Sequence, residues 1–231
     1  MIETDAVFLP DCHVPYEDLY AWDKALRFIE DSGAEGVVLL GDFLDMYGVS
    51  RYDKAAGHAP IAEEIERGKS RLTELRRSFG GPILYCEGNH EQRLEKYITR
   101  NAAALAGLPG LTIPELLDLE RYNIQWSPWG DDTNIRAEGV WVEHGDCSAA
   151  KSGYTAHAML NKRVADRGVS AHTHRLGHVF RTVQGHTREW VEAGCLCNRD
   201  AMKYYTLYPD WQLGLAYLDR RGKLGVYSLD T

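Results

Sequence analysis

The chain has 231 residues, 44% of them hydrophobic and 26% charged, which suits one compact domain with its own core and excludes a disordered or collagen-like chain. Lys and Arg number 26 against 34 Asp and Glu, for a formal charge of −8. Residues 1–50 hold eleven of the acids and two bases, so a general affinity for phosphate backbones is not expected, and any phosphate chemistry needs a local source of positive charge.

Ala6 to Pro10 is a short apolar run suited to a buried strand, and Leu19, Trp22, Leu26 and Ile29 then recur at helical spacing, with Gly33 as the stop. Val37 to Leu40 is the continuous aliphatic run of a strand covered on both faces. Ile61, Ile65, Leu72, Leu75 and Phe79 mark a second helix, ended by Gly80-Gly81-Pro82. Ile83 to Cys86 reads as a third strand, and Leu94, Tyr97, Ile98 and Leu105 as a third helix. This alternation is that of βαβ units on a parallel sheet.

Later in the chain, Asn123 to Trp126 and Gly139 to Glu143 read as strands separated by a polar stretch around Gly130-Asp131-Asp132. Ala156, Met159, Leu160 and Val164 suggest a helix. Four further β-like pieces follow, at about His178 to Val183, Thr187 to Glu192, Leu213 to Leu218 and Lys223 to Leu229, giving the C-terminal part an antiparallel character. No linker or repeat interrupts the chain, so residues 1–231 are expected to form a single domain, with one mixed sheet or two packed together.

In open α/β sheets ligands bind at the carboxyl ends of strands, and those positions are rich in donors. Asp11-Cys12-His13 follows the first strand, Gly41-Asp42-Phe43-Leu44-Asp45 the second and Gly88-Asn89-His90-Glu91 the third. His144-Gly145 and Ala171-His172-Thr173-His174 occupy the same place after later strands. Carboxylate, imidazole and amide oxygen together suit Mn, Fe or Zn. Asp11, His13, Asp42, Asn89, His144, His172 and His174 are too many ligands for one ion. They fill two neighbouring sites if Asp42 bridges them, and two divalent ions can activate a water and clamp a phosphate.

The ordered motifs Asp-x-His, Gly-Asp-x-x-Asp, Gly-Asn-His-Glu, His-Gly and His-x-His, running from Asp11 to His174, resemble those of the calcineurin-like metallophosphoesterases. The resemblance implies a four-layer αββα sandwich with two mixed β-sheets and a dinuclear centre holding two divalent metal ions, with Mn favoured and Fe or Zn as alternatives. It places Asp11, His13 and His174 on one metal, Asn89, His144 and His172 on the other, and Asp42 between them. It makes a metal-bridging hydroxide the nucleophile and His90 the acid that protonates the leaving oxygen, with Asp45 orienting or charging that imidazole. A near-neutral imidazole suits this work at pH 7.

Two positions depart from the pattern. Family protein phosphatases carry a phosphate-gripping Arg after the second Asp of Gly-Asp-x-x-Asp, where this chain has Met46, and Ala171 stands where Gly is usual. Arg51, Lys54, His58 and Arg93 are candidates for the missing clamp, with Arg93 first and Arg51 also retained as substrate-binding residues. Residues 161–188 hold six bases and one acid, a stretch able to guide a polyanion or merely to form a solvated face. Glu91 reads as the first-turn acid of a helix.

Tyr204, Tyr205, Tyr208 and Trp211 could stack bases, although core or dimer packing is the simpler use. Cys195-x-Cys197 and Cys12 read as packing, and all five cysteines as reduced thiols. No apolar run approaches the ~20 residues of a membrane span, and the opening residues lack the basic and apolar regions of a signal peptide. A cytoplasmic protein with no membrane partner is therefore expected. The expected activity is metal-dependent phosphoesterase, favouring phosphodiesters of a nucleotide or nucleic acid. A phosphomonoesterase acting on nucleotides or phosphoproteins is the alternative, and a non-catalytic scaffold of the same fold is the third reading.

Overall fold

The computed structural model describes residues 6–54, 58–130, 139–203, 205–206 and 208–230. The polar stretch at Asp131-Asp132 and the ring of Tyr204 lie outside them. Among these residues, ten strands form two sheets. Strands β1 (Ala6–Leu9), β2 (Gly36–Leu39), β3 (Ile83–Cys86) and β4 (Ile124–Ser127) run parallel. Against β1 pairs antiparallel β9 (Gly214–Leu218), and against β9 pairs antiparallel β10 (Leu224–Ser228), so the larger sheet has the order β10-β9-β1-β2-β3-β4. The smaller sheet, in the order β5-β6-β8-β7, comprises β5 (Val140–Glu143), β6 (Arg167–Ser170), β7 (Leu176–Val183) and β8 (His186–Ala193). Both sheets are mixed, since β5, β6 and β8 are parallel and β7 is antiparallel to β8.

Side-chain alternation explains why the two sheets stack. On β1, Val7 and Leu9 join one core while Ala6 and Phe8 join another; on β2, Val37 and Leu39 split from Val38 in the same way, and on β3, Ile83 and Tyr85 split from Leu84 and Cys86. The first core lies under the helices α1 (Leu19–Ser32) and α2 (Ile61–Ser78), which contribute Trp22, Ile29, Leu72 and Leu75. The second core lies between the sheets and receives Val140, Val142, Val169, Ala171, Val191 and Ala193 from the smaller one. A third, built on Trp190, packs α5 (Tyr154–Lys162) through Ala156, Met159 and Leu160 against the outer face of the smaller sheet. The order helix, sheet, sheet, helix is the expected four-layer sandwich.

The helices begin and end for local reasons. Asp18 caps α1 by accepting the amide of Ala21 at 2.9 Å, and Gly33 ends it in the left-handed conformation at φ 62°. The buried stripe of α1 is Ala21, Trp22, Ala25 and Ile29, whereas Leu19 is 54% exposed, so small alanines rather than the outermost leucine meet the sheet. Between α2 and β4 lie α3 (Gln92–Asn101) and the single turn α4 (Ile113–Leu116). Helix α3 stops before Leu105 and has no fully buried residue, because it lies on the rim of the sandwich rather than under it. Val164 likewise falls beyond α5 and is 98% exposed.

Candidate metal centre

The five donor loops leave their strands at the same end of the two sheets and are tied to one another. The loop after β1 continues to pair with the loop after β2: the His13 amide donates to the Asp42 carbonyl at 2.9 Å, Val14 to Phe43 at 2.8 Å and Asp45 back to Val14 at 3.0 Å. Asp11, His13, Asp42, His172 and His174 all have positive φ, between 37° and 72°. Non-glycine residues rarely adopt this region, and its concentration on donors marks a functional constraint.

Two glycines are dictated by contact. A Cβ on Gly88 would stand 2.2 Å from both the amide and Oδ1 of Asp42, and one on Gly41 would stand 2.7 Å from the Gly88 backbone and 2.8 Å from Nδ1 of His144. The Gly-Asp and Gly-Asn motifs are thus the two halves of one close approach. Ala171, by contrast, tolerates its methyl because that group fills the core between the sheets.

Among the described residues the donors form overlapping groups, one of His13, Asp42 and His90 and one of His174, Cys195 and Cys197 among them, and two of the groups match the expected ligands. Asp11, His13 and His174 form one, with Nε2 of His13 at 3.0 Å from Nε2 of His174, and Asp11 Oδ1 at 3.4 Å from the latter. Asp42, His144 and His172 form the other, with His144 Nε2 at 3.3 Å from both Asp42 Oδ2 and His172 Nδ1. Asn89 joins this second set, its Oδ1 3.1 Å from His144 Nε2. Asp42 Oδ2 also lies 3.9 Å from His13 Nε2 and 3.7 Å from His90 Nε2, between the two sets.

The donor set fits divalent cations. His13 gives its Nδ1 proton to Asp45 Oδ1 at 3.0 Å, and His144 gives its Nδ1 proton to the Leu40 carbonyl at 2.8 Å. Each Nε2 lone pair is therefore turned toward further acceptors, an arrangement that a cation resolves, and these partners fix the tautomers that ligation needs. Without a cation, burial works against charge on His144, but the carboxylate of Asp42 outweighs it and pushes the imidazole up to about 10. Burial, followed by the neighbouring charge of His90, pushes His13 down to about 4. Burial opposes ionisation of Asp42 as well, yet the surrounding imidazoles hold it well below the usual carboxylate range.

His90 and Asp45 meet beside this centre. Nδ1 of His90 is 2.7 Å from the Asp45 carbonyl and 3.3 Å from its carboxylate, while that carboxylate is nearer to His13. Asp45 Oδ1 thus lies near both rings, and the Asp45 carbonyl makes the shorter contact to His90. Arg93 approaches from α3: its Nη2 is 2.7 Å from His90 Nε2, and its Nη1 donates at 2.8 Å to the Asp45 carbonyl and to the Tyr205 hydroxyl. Met46 is buried, so the position of the family phosphatase Arg faces the core here, and Arg93 brings a guanidinium to the centre instead.

Two of the other clamp candidates are engaged near their own loop. Lys54 braces its own loop on the Ser50 carbonyl at 2.6 Å, and His58 packs edge-on against Tyr47. Arg51 is exposed and lies over Tyr52 at 5.3 Å.

Several readings of single residues are corrected by their partners. Glu91 makes no helix cap; it is buried and holds the Asp42 loop, with Oε2 accepting the amides of Asp42 and Gly88 at 2.9 Å each, and Oε1 accepting Leu44 at 3.0 Å and the Tyr85 hydroxyl at 2.7 Å. Glu64, equally buried, takes the amide of Met46 at 2.6 Å. The basic stretch 161–188 does not form a polyanion guide, since Lys162 pairs with Asp146, Arg163 with Glu143, Arg167 with Glu189 and Arg175 with Asp210. Tyr205 packs on His90 with ring centroids 5.6 Å apart, and Trp211 on His174 at 4.2 Å. Neither serves as a free stacking platform. The buried Cys197 Sγ sits 3.8 Å behind His174 Nδ1.

Two stacked mixed sheets with helices outside, and the five motif loops at one end, decide the architecture. This is the four-layer αββα arrangement of two mixed sheets that the motif resemblance implies. No protein-family model matches it. It is 28% identical over 229 residues to the gene 54 protein of Mycobacterium phage D29, covering 92% of this chain and 87% of that one. The gene 54 protein of Mycobacterium phage L5 is 28% identical over 232 residues, covering 94% and 89%. Among solved structures, the chain is similar to YfcE, a phosphoesterase from E. coli, at 15% identity and a TM-score of 0.44, over 98% of this chain and 100% of that one. It is also similar to Vps29 from Entamoeba histolytica in complex with Zn2+, at 11% identity and a TM-score of 0.48, over the same shares. Among the described residues, no helix is long and apolar enough to cross a membrane.

Proposed function

We propose that this calcineurin-like chain is a metal-dependent phosphoesterase holding two divalent cations, Mn foremost. Asp11, His13 and His174 would bind one, Asn89, His144 and His172 the other, and Asp42 would touch both. The observation that carries this reading is the position of Asp42 Oδ2 between the two donor sets, with acceptor atoms facing one another around it. When bound, such a pair of ions supplies an activated water and neutralises charge on the phosphoryl group. It also answers the negative balance of residues 1–50, where Asp11, Asp42 and Asp45 stand.

The protein's own groups do the remaining work. His90 belongs to neither of those two sets, although its Nε2 also lies 3.7 Å from Asp42 Oδ2, and in this reading its Nε2 would protonate a leaving oxygen. The Asp45 carbonyl and carboxylate both face Nδ1, which orients the ring. Arg93 Nη2 stands 2.7 Å from Nε2. A phosphoryl oxygen is a stronger acceptor for a guanidinium than a ring nitrogen is, so a bound substrate would draw Arg93 away from Nε2. Tyr205 restrains Arg93 from the other side.

A phosphodiester is the favoured substrate, of a nucleotide or a nucleic acid. Met46 withdraws the phosphatase Arg position into the core, and beside His144 lies a cavity of about 510 Å3 that also reaches Trp129 and Trp141, leaving room for a second ester group. Five free thiols, four of them buried, agree with a reducing, cytoplasmic setting. The test compares bis-p-nitrophenyl phosphate with p-nitrophenyl phosphate in the presence of Mn2+. Faster turnover of the diester is expected; preference for the monoester would reverse the substrate assignment, and hydrolysis of neither would overturn the phosphoesterase reading.

A further inference from the structure

A second cleft, of about 300 Å3, opens on the other side of Asn89, with Arg51, Tyr52, Arg93, Lys96, Tyr97 and Arg100 around it. Asn89 is the link to the metal centre, since its Oδ1 touches His144. Positions 93, 96, 97 and 100 follow the spacing i, i+3, i+4, i+7, so they share one face of α3. The opposite face carries Glu95 toward a different groove. Helix α3 therefore divides its charges, with cations on the side that borders Asn89.

Three features indicate a ligand rather than a solvated face. Among the described residues, none of Arg51, Arg93, Lys96 and Arg100 is in an ion pair, whereas four bases of the 161–188 stretch each found a carboxylate. Arg93 feels the carboxylates of Asp45 and Asp42 and Lys96 that of Glu87, but no carboxylate closes a salt bridge with any of the four, so the cluster can still take an anion. Tyr52 and Tyr97 are 52% and 43% exposed beside the cations, with Arg51 over one face of Tyr52. Alternating cations and open aromatic faces are what a single-stranded nucleic acid uses, since its phosphates and its unstacked bases are both available. A duplex hides its base faces, and a phosphopeptide has one or two phosphates rather than a chain of them.

We propose that this cleft binds the single strand of a nucleic acid next to the phosphate being cleaved. The orientation of that strand toward Asn89 rests on the phosphoesterase reading; the cleft as a binding site does not. Lys96 and Arg100 take backbone phosphates, Tyr52 and Tyr97 stack bases, and Arg93 is shared with the centre.

The test is fluorescence anisotropy on the full chain loaded with Mn2+, using a phosphorothioate-linked oligothymidylate of about eight residues that resists cleavage. The K96E/R100E variant is expected to bind at least about tenfold more weakly at low salt. The plot of log affinity against log salt should become shallower by about 1.4, the loss of two single-strand phosphate contacts. Tyr97→Ala should weaken binding about tenfold with the salt slope unchanged. Arg77→Glu and Arg121→Glu, on exposed surfaces elsewhere, should bind as the unaltered chain does. Unaltered binding by K96E/R100E would overturn the proposal, as would tighter binding of a blunt duplex or a phosphopeptide than of the oligothymidylate. Hydrolysis of the small diester without strand binding removes the cleft and keeps the phosphoesterase reading; strand binding without hydrolysis does the reverse.

Discussion

Removing the carboxylate of Glu91 tests how the centre is held without touching any proposed ligand. Glu91→Ala leaves the amides of Asp42, Leu44 and Gly88 and the Tyr85 hydroxyl without their acceptor, all in the buried interior. A buried donor left unpaired costs about 1–3 kcal/mol. With water entering the space to serve some of them, the sum comes to about 3–5 kcal/mol, a large share of the 5–15 kcal/mol of an ordinary domain. Glu91→Gln is milder. If its amide nitrogen takes the Oε1 side, the Tyr85 hydroxyl turns to accept from it and only the Leu44 amide is orphaned, for about 1–3 kcal/mol. Two of the amides belong to Asp42 and Leu44, so the loop carrying Asp42 loosens as well, and Mn2+ affinity should fall by about 10- to 100-fold. Urea unfolding with chelator present reads the first effect, and calorimetric Mn2+ titration the second. A Glu91→Ala protein that loses less than about 1 kcal/mol and binds Mn2+ normally would refute this account of the loop.

Other expectations follow from the same geometry. His90→Ala should lower turnover of the small diester by about 10²- to 10⁴-fold with metal content retained, whereas Asp42→Asn should deplete metal; equal metal loss in both would show His90 to be a ligand. Tyr205→Phe removes a hydroxyl that accepts from Arg93 and lies 3.2 Å from Asp45 Oδ1, and should cost about tenfold in kcat/KM, the equivalent of about 1.4 kcal/mol; an unchanged kcat/KM would place Tyr205 outside the working site. Gly88→Ala should disturb the Asp42 loop, because its Cβ would lie 2.2 Å from Asp42, and normal stability and metal content in that variant would contradict the close approach.

Much of the site was legible because each donor directly follows a strand, and strands with both faces covered are conspicuous runs. The split of β1, β2 and β3 between two cores is written in strict alternation of side chains, although sequence alone left one sheet or two open. The less legible parts depend on partners distant in the chain. Glu91 looks like a helix-start acid until Asp42, 49 residues earlier, is seen on its Oε2. The bases at 162, 163 and 167 look like a polyanion guide until Asp146, Glu143 and Glu189 arrive beside them. Arg93 was readable as a candidate by its nearness to His90, while Tyr205, whose hydroxyl lies 112 residues from Arg93 along the chain, carried no local signal. Helix α3 gave the opposite lesson, since its apolar positions suggested burial but its basic face borders the centre.

The most direct test of the central claim is the Mn2+ stoichiometry of the chelator-stripped chain, measured by equilibrium dialysis with parallel electron paramagnetic resonance. Two equivalents per chain with a spin-coupled signal, lost in Asp42→Asn, are predicted. A single equivalent with an isolated Mn2+ signal, or two uncoupled ions indifferent to Asp42→Asn, would contradict a centre bridged by Asp42.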